Sequence, residues 1–100
     1  MVSVYRQGDL ILRRRWNIAV VSELKPENMV GDRLEVRSET GHAHVIEAPV
    51  YNLYGNRLVV VEKPTPLTHP QHATIIIPPG IYQVTFVRDY RDVRFVRPRD

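Results

Sequence analysis

The apolar residues of this chain are mostly β-branched, and this bias restricts the fold more than any other feature. The sequence holds 15 valines and 7 isoleucines but only 4 alanines, together with 8 prolines and 5 glycines. β-Branched side chains favour strands, alanine favours helices, and proline and glycine interrupt both. We therefore predict an all-β protein, a small antiparallel β-barrel or sandwich of about eight strands.

Short runs of strand-forming residues recur between turn signals, at the spacing typical of barrels and sandwiches. The eight predicted strands are Asp9–Arg13, Asn17–Ser22, Arg33–Arg37, His42–Glu47, Pro49–Tyr54, Arg57–Glu62, Ala73–Ile77 and Ile81–Arg88, with Val93–Arg97 as a ninth. A helical turn is expected only within Ser22–Met29, where Pro26 keeps it short.

Turn residues predict how these strands connect. Gly55-Asn56 forms a two-residue hairpin loop, and Asp89-Tyr90-Arg91-Asp92 joins Ile81–Arg88 to Val93–Arg97 in a second hairpin. The proline-rich segments Pro64-Thr65-Pro66 and Pro78-Pro79-Gly80 are expected to be stiff connections.

The length of 100 residues predicts a single domain over residues 1–100. No apolar run approaches the roughly 18 residues of a membrane helix, and Asp9 lies where a signal peptide would be apolar. We expect a cytoplasmic protein, or an intracellular phage or virus product, with no membrane partner. Exposed strand edges favour a homo-oligomer. Twelve of the 14 basic residues are arginine, a weak indication of a thermophilic source.

The four histidines lie within 31 positions, and they are the clearest candidate site. Along a strand, His42 and His44 project from the same side, so their rings are expected to share one ion. His72 is the preferred third ligand and His69 the reserve. The predicted cofactor is a divalent metal ion, namely zinc, iron, nickel or manganese.

Two further residues are candidate partners of those ligands. Thr74 shares a face with His72 and is expected to support it, and Glu47 follows the His-x-His pair. Two other interpretations stay open: the histidines are ordinary polar residues that bind nothing, or they carry out metal-free acid–base chemistry. Whether the protein is an enzyme is left undecided.

Two motifs carry a resemblance to a known family. Gly41-His42-Ala43-His44 followed by Pro78-Pro79-Gly80 resembles the two-part signature of cupins, small β-barrels that bind a divalent metal through a His-x-His pair, a glutamate and a later histidine. The cupin glutamate would stand at Ala48 and the late histidine at Gln83, so only the His-x-His pair carries over. The resemblance implies a cupin-like barrel.

Nearly the whole chain is also similar to small uncharacterised bacterial and phage-type proteins. The similarity lies in an opening Gly8-Asp9 with hydrophobic residues, a Thr40-Gly41-His42-Ala43-His44 motif, His72, the segment Pro78–Tyr82 and Arg88-Asp89-Tyr90. This resemblance implies no particular activity.

Arginines carry the net charge of +3 and are concentrated in two places. Arg13, Arg14 and Arg15 lie beside Trp16, a combination that suits phosphates and stacked bases, so an arginine-dependent nucleic-acid-binding module is an alternative function. The second group follows Arg88 and is interleaved with aspartates, which favours a solvated, ion-paired face. Nucleic acid is therefore not the favoured partner. A structural or assembly protein, for example of a virus, is the remaining alternative.

Overall fold

Two antiparallel sheets make up the fold. The computed structural model describes residues 4–38 and 41–87. Its elements are β1 (Val4–Gln7), β2 (Leu10–Trp16), 3-10 helices at Ile18–Glu23 and Pro26–Asn28, β3 (Met29–Gly31), β4 (Leu34–Arg37), β5 (Ala43–Ile46), β6 (Val50–Leu53), β7 (Asn56–Val61), β8 (Thr65–His69), β9 (His72–Ile77) and β10 (Gly80–Phe86). The first sheet has the order β1-β2-β10-β7-β6-β3 and the second the order β4-β5-β8-β9.

The all-β prediction is confirmed, and the described residues form ten strands instead of about eight. Within the described residues the two sheets remain separate and form no closed barrel. No helix in this part of the chain is long and apolar enough to cross a membrane.

The six-stranded sheet buries apolar side chains on both faces, which explains the uninterrupted apolar run at the end of β7. Val59 and Val61 belong to the main core between the sheets. Leu58 and Val60 point the other way, into a smaller cluster with Ile81 that the first 3-10 helix covers. Alternate side chains of a strand point to opposite faces, so a strand covered on both faces shows no polar alternation.

The prediction of a strand over Asn17–Ser22 is wrong. Asn17 accepts a hydrogen bond through Oδ1 from the backbone N–H of Ala19, at 3.0 Å, and thereby caps the 3-10 helix Ile18–Glu23. Asparagine competes well for backbone donors at such positions, and here the cap overrides the strand preference of the β-branched residues that follow. The expected helical turn near Pro26 is present as the short 3-10 helix Pro26–Asn28.

The segment Pro64-Thr65-Pro66 was expected to be a connection, but β8 begins inside it. Pro66 pairs with Ile76 of β9, whereas the pairing with β5 involves only Leu67 and Thr68. The N–H that proline lacks therefore falls beyond the end of β5, where no ladder bond to that strand is needed. The short strands β1 and β3 were also missed.

The hairpin between β6 and β7 is confirmed, with its loop one residue earlier than predicted. Leu53 pairs with Asn56, and the loop consists of Tyr54 and Gly55, with φ of 52° and 79°. Two residues with positive φ form the type of turn whose twist matches that of the flanking strands. The predicted second hairpin, through Asp89-Tyr90-Arg91-Asp92 to Val93–Arg97, lies outside the described residues.

Candidate functional site

One polar cluster lies where the edge of the six-stranded sheet meets the four-stranded sheet. We call it the histidine cluster, and it comprises Gln7, Asp9, His42, His44, His69 and His72. Gln7 ends β1 and Asp9 belongs to the turn before β2, whereas the histidines lie on or beside β5, β8 and β9. The fold therefore brings together side chains from three separate parts of the sequence.

Gln7 determines the chemistry of the cluster although it is not ionisable. It is buried, and its Nε2 donates to the carbonyl oxygens of Leu67 and Ala73, at 2.9 and 3.0 Å. Both amide hydrogens are therefore used, and Oε1 remains as an acceptor. This Oε1 lies 2.9 Å from Nδ1 of His44, so Nδ1 of His44 carries a hydrogen and donates it to Gln7.

The other ring nitrogen of His44 faces a carboxylate. The His44 side chain is fully buried, and its Nε2 lies 3.0 Å from Oδ1 of Asp9, whose side chain is 32 % exposed. Burial lowers the pKa of His44, against the opposing effects of a hydrogen bond and a Coulombic attraction to Asp9. A neutral His44 with its hydrogen on Nδ1 presents a bare Nε2 to Asp9. The contact becomes a hydrogen bond only when one of its two atoms holds a proton.

The reserve ligand, His69, has both ring nitrogens engaged. Its Nδ1 accepts from the backbone N–H of Gln71 at 3.0 Å, so any hydrogen on the neutral ring is on Nε2. That Nε2 lies 3.4 Å from Oγ of Ser38. Burial, followed by the nearby rings of His44, His72 and His42, lowers the pKa of His69. His69 is thus a neutral, hydrogen-bonded member of the cluster.

His72 lies beside Gly8, in the turn that also holds Asp9. It pairs with His69 across the β8–β9 hairpin, and its ring lies parallel to that of His44, with centroids 6.1 Å apart and an interplanar angle of 8°. Gly8 has a φ of +59°, and a Cβ built on it would lie 2.6 Å from Nε2 of His72. The positive φ and the position of the His72 ring therefore both favour glycine here. No hydrogen bond to another described residue restrains the His72 ring.

His42 occupies the rim of the cluster. It is exposed, it precedes β5, which begins at Ala43, and its ring centroid lies 5.9 Å from that of His69. The His44 centroid lies 4.4 Å from the same ring. His42 and His44 therefore project from the same side of the chain, and the ring of His69 contacts both.

The two predicted supporting residues lie apart from the ring contacts. Thr74 is exposed on β9. Glu47 is also exposed, and its carboxylate lies 3.6 Å from the guanidinium of Arg33. Within residues 4–38 and 41–87, neither side chain forms a hydrogen bond or an ion pair with a histidine. Gln7 and Asp9 take the supporting positions, and only the turn glycine between them marks this pair in the sequence.

In this structure, no group of three or more histidine, aspartate or glutamate side chains among the described residues is arranged to hold a metal ion. The nearest approach to such a site is the contact of His44 with Asp9. His72 stands beside that contact without completing it.

The arginine group on β2 is divided between the two faces of the strand. Arg14 is half-buried and donates from Nη1 to the carbonyl oxygen of Pro79 at 3.3 Å. Arg13 and Arg15 are exposed, and the guanidinium of Arg15 lies 5.6 Å from the centroid of the Trp16 ring. Because alternate residues face opposite sides, the three arginines do not form one continuous patch.

These observations define a two-sheet antiparallel β protein whose sheets meet at a partly buried cluster of histidine, glutamine and aspartate. The chain belongs to the family described as a domain of unknown function, DUF8820, whose model matches residues 6–86. That range includes every residue of the histidine cluster. No curated protein and no solved structure matches the chain. The family match agrees with the resemblance to uncharacterised proteins, and nothing in the comparisons supports a cupin.

Proposed function

We propose that Asp9 and His44 bind one divalent metal ion, with His72 as the third ligand. The observation that carries the proposal is the buried imidazole of His44, which commits its Nδ1–H to Gln7 and holds Nε2 3.0 Å from a carboxylate oxygen. Two lone pairs that face each other at this distance are unfavourable unless a proton or a metal ion lies between them. Imidazole nitrogen and carboxylate oxygen are ligands that zinc and related metals accept.

The separation of the two donor atoms is compatible with a shared ion. At metal–ligand bonds of about 2.0–2.1 Å, atoms 3.0 Å apart subtend an angle of roughly 91–97° at the metal. This angle suits five or six ligands, with water completing the shell. A tetrahedral zinc ion would require the two atoms to move apart by roughly 0.3 Å.

The choice of His72 follows from the state of the other rings. Both nitrogens of His69 have hydrogen-bonding neighbours, and His42 contacts His69 at the exposed rim. The ring of His72 has no hydrogen bond to a described residue, and its Nε2 lies against Gly8, the residue before Asp9. A ligand role for His72 requires its ring to rotate, so that one nitrogen turns towards Asp9 and His44. Gln7 orients the His44 ring, because a ligand imidazole is held in position by the acceptor of its other N–H.

The position of the ion suggests that it joins the sheets. Asp9 lies in the turn between β1 and β2 of the six-stranded sheet, and His44 and His72 belong to the four-stranded sheet. Two surface cavities lie elsewhere, one beside Trp16 and Tyr54 and the other beside Val36 and Val84. We therefore propose a metal ion that stabilises the fold, without assigning a reaction to it.

The test is a titration of untagged, chelator-treated protein with Co²⁺, followed by its visible absorption, and with Zn²⁺, followed by calorimetry, both at pH 7.5. We expect one site per chain. Asp9→Asn should abolish binding while keeping the shape of the side chain, and His72→Ala should weaken it at least tenfold. The matched control His42→Ala removes an exposed ring of the same cluster and should change the affinity less than twofold.

Two results would overturn the proposal: wild-type protein that binds neither ion, or an equal loss of affinity in Asp9→Asn and His42→Ala. The affinity should also fall with acidity, because protons compete with the metal for the imidazoles. Nitrogen-15 shifts of His44 provide a second readout, since Zn²⁺ should move the Nε2 signal and leave Nδ1 protonated.

A further inference from the structure

A surface cavity of about 540 Å³ lies beside the first sheet, apart from the histidine cluster. Two of its lining residues, Leu24 and Leu53, are half-buried and pack against the smaller apolar cluster of Leu58, Val60 and Ile81. The cavity shares no lining residue with the histidine cluster. Its floor is therefore held in place by the fold and is independent of the proposed metal site.

Two exposed aromatic rings line this cavity. Trp16 ends β2 and is 41 % exposed, and Tyr54 lies in the β6–β7 loop and is 93 % exposed. Trp16 is held from two directions, because its backbone pairs with Ile81 and the guanidinium of Arg15 lies over its ring. Arg15 in turn donates a hydrogen bond to Gln83. An aromatic ring held in position offers a ligand a large apolar contact at little cost in side-chain entropy.

The backbone of Tyr54 is unfavourable for a tyrosine. Its φ is 52°, and it is the first residue of a two-residue hairpin loop, a position that favours asparagine, aspartate or glycine. A bulky residue at positive φ costs free energy, and such residues are concentrated at ligand sites. The exposed side chain gains little from packing against the described residues. The turn and the core therefore do not explain the tyrosine, whereas a ligand in the cavity would.

Four polar side chains complete the lining of the cavity. Glu23, Lys25 and Glu27 are exposed, and Asn28 is half-buried. Within residues 4–38 and 41–87, these four side chains form no hydrogen bond or ion pair with one another or with the rest of the chain. Carboxylates accept hydrogen bonds, an ammonium group donates them, and an amide does both. The set therefore suits a ligand whose groups both donate and accept, and it disfavours a ligand that carries a charge of one sign.

We propose that this cavity binds a neutral saccharide. The faces of a pyranose ring carry C–H groups that pack on an aromatic ring, whereas the hydroxyls at its edge both donate and accept hydrogen bonds. Trp16 and Tyr54 supply the stacking surfaces. The side chains of Glu23, Glu27 and Asn28 bind the hydroxyls. The volume lies within the range of about 300–1,000 Å³ that is typical of ligand cavities.

The single tryptophan makes the test direct, because Trp16 is both the proposed contact and the fluorescent reporter. The untagged protein is titrated with cellohexaose, laminarihexaose, maltohexaose, xylohexaose, mannohexaose and chitohexaose, and with tetraethylammonium as a cationic probe. We expect at least one saccharide to change the tryptophan emission in a saturable manner. The affinity should be the same at low and high salt, because the ligand is uncharged. Calorimetry gives an independent measure of the same binding.

Tyr54→Asn is the most informative variant. It removes the ring and introduces a residue that this turn prefers, so it should weaken binding at least tenfold without lowering the melting temperature. A merely structural role for Tyr54 would not give this combination. The matched control Ile76→Ala removes another exposed apolar side chain, from the second sheet, and should change the affinity less than twofold.

Three results would overturn the proposal: no binding of any saccharide in the panel, binding of tetraethylammonium alone, or an equal loss of affinity in Tyr54→Asn and Ile76→Ala. Neither variant alters the histidine cluster. Failure of the metal site would therefore leave the saccharide titrations interpretable.

Discussion

Replacing Gln7 by leucine should destabilise the protein more than any other single change in the histidine cluster. The substitution keeps most of the side-chain volume and removes every polar atom. It leaves three partners without their hydrogen bonds, namely the carbonyl oxygens of Leu67 and Ala73 and the Nδ1–H of His44. All three bonds join the edge strand of the first sheet to the second sheet.

The expected magnitude follows from the cost of those three groups. A buried polar group that loses its partner costs about 1–3 kcal/mol. Part of this sum is offset by water that enters beside the partly exposed Asp9 and by the added apolar contacts of leucine. We therefore expect the free energy of unfolding to fall by roughly 3–6 kcal/mol. Total stabilities of such domains are about 5–15 kcal/mol. The melting temperature should fall by at least about 12 °C.

Urea unfolding, followed by the fluorescence of the single tryptophan and by circular dichroism, measures this loss. The matched control is Gln83→Leu, the same chemical change at a half-buried residue whose amide bonds only to side chains that are exposed, those of Arg15 and Asn56, among the described residues. We expect the control to lose less than about 1 kcal/mol. A loss below about 1 kcal/mol in Gln7→Leu, or equal losses in the two variants, would refute the role assigned to Gln7.

Three further changes test individual contacts. Gly8→Ala should lower the free energy of unfolding by roughly 1–2 kcal/mol, because φ at Gly8 is +59° and the new Cβ would contact the His72 ring. An unchanged melting temperature would contradict this prediction. Burial lowers the pKa of both His44 and His69 in the native state. Below about pH 6.5 the unfolded chain binds protons that the native state does not bind, so the free energy of unfolding should fall as the pH drops. Urea midpoints between pH 7.5 and 5 measure that slope, and a flat profile would be inconsistent with neutral rings. Burial raises the pKa of Tyr82 to about 12. Stability should therefore also decline between about pH 10 and 12, because the unfolded chain loses the phenolic proton at a lower pH than the native state does. Tyr82→Phe should abolish this alkaline decline, and a decline that persists in the variant would contradict the assignment to Tyr82.

The sequence predicts the strands well where the apolar pattern is local. The runs that became β5, β7 and β10 were recognisable from β-branched residues between turn signals. The pattern failed at Asn17, where one capping side chain redirects a strand-like segment, and at Pro66, where proline is tolerated because β5 has already ended. Both failures depend on a partner that sequence spacing does not reveal.

The site was predictable only in part for a related reason. Histidine spacing drew attention to His44 and His72, which the fold places on one side of the second sheet. Their polar partners Gln7 and Asp9 come from the other sheet, about 35 residues earlier in the chain than His44. Which edge of one sheet meets the other is decided by tertiary packing, and an isolated glutamine carries no signal of it.

The location of these hydrogen bonds gives them a role that apolar packing between the sheets does not have. Contacts among valine and leucine side chains fix the distance between two sheets but tolerate sliding, because they have little directional preference. The bonds of Gln7 to Leu67 and Ala73 are directional and span the junction of β1 with the β8–β9 hairpin. A slip of β1 by one residue would turn Gln7 to the opposite face and break all three of its bonds at once. The histidine cluster therefore favours one relative position of the sheets. That position also determines the 3.0 Å separation between His44 and Asp9 on which the proposed metal site depends.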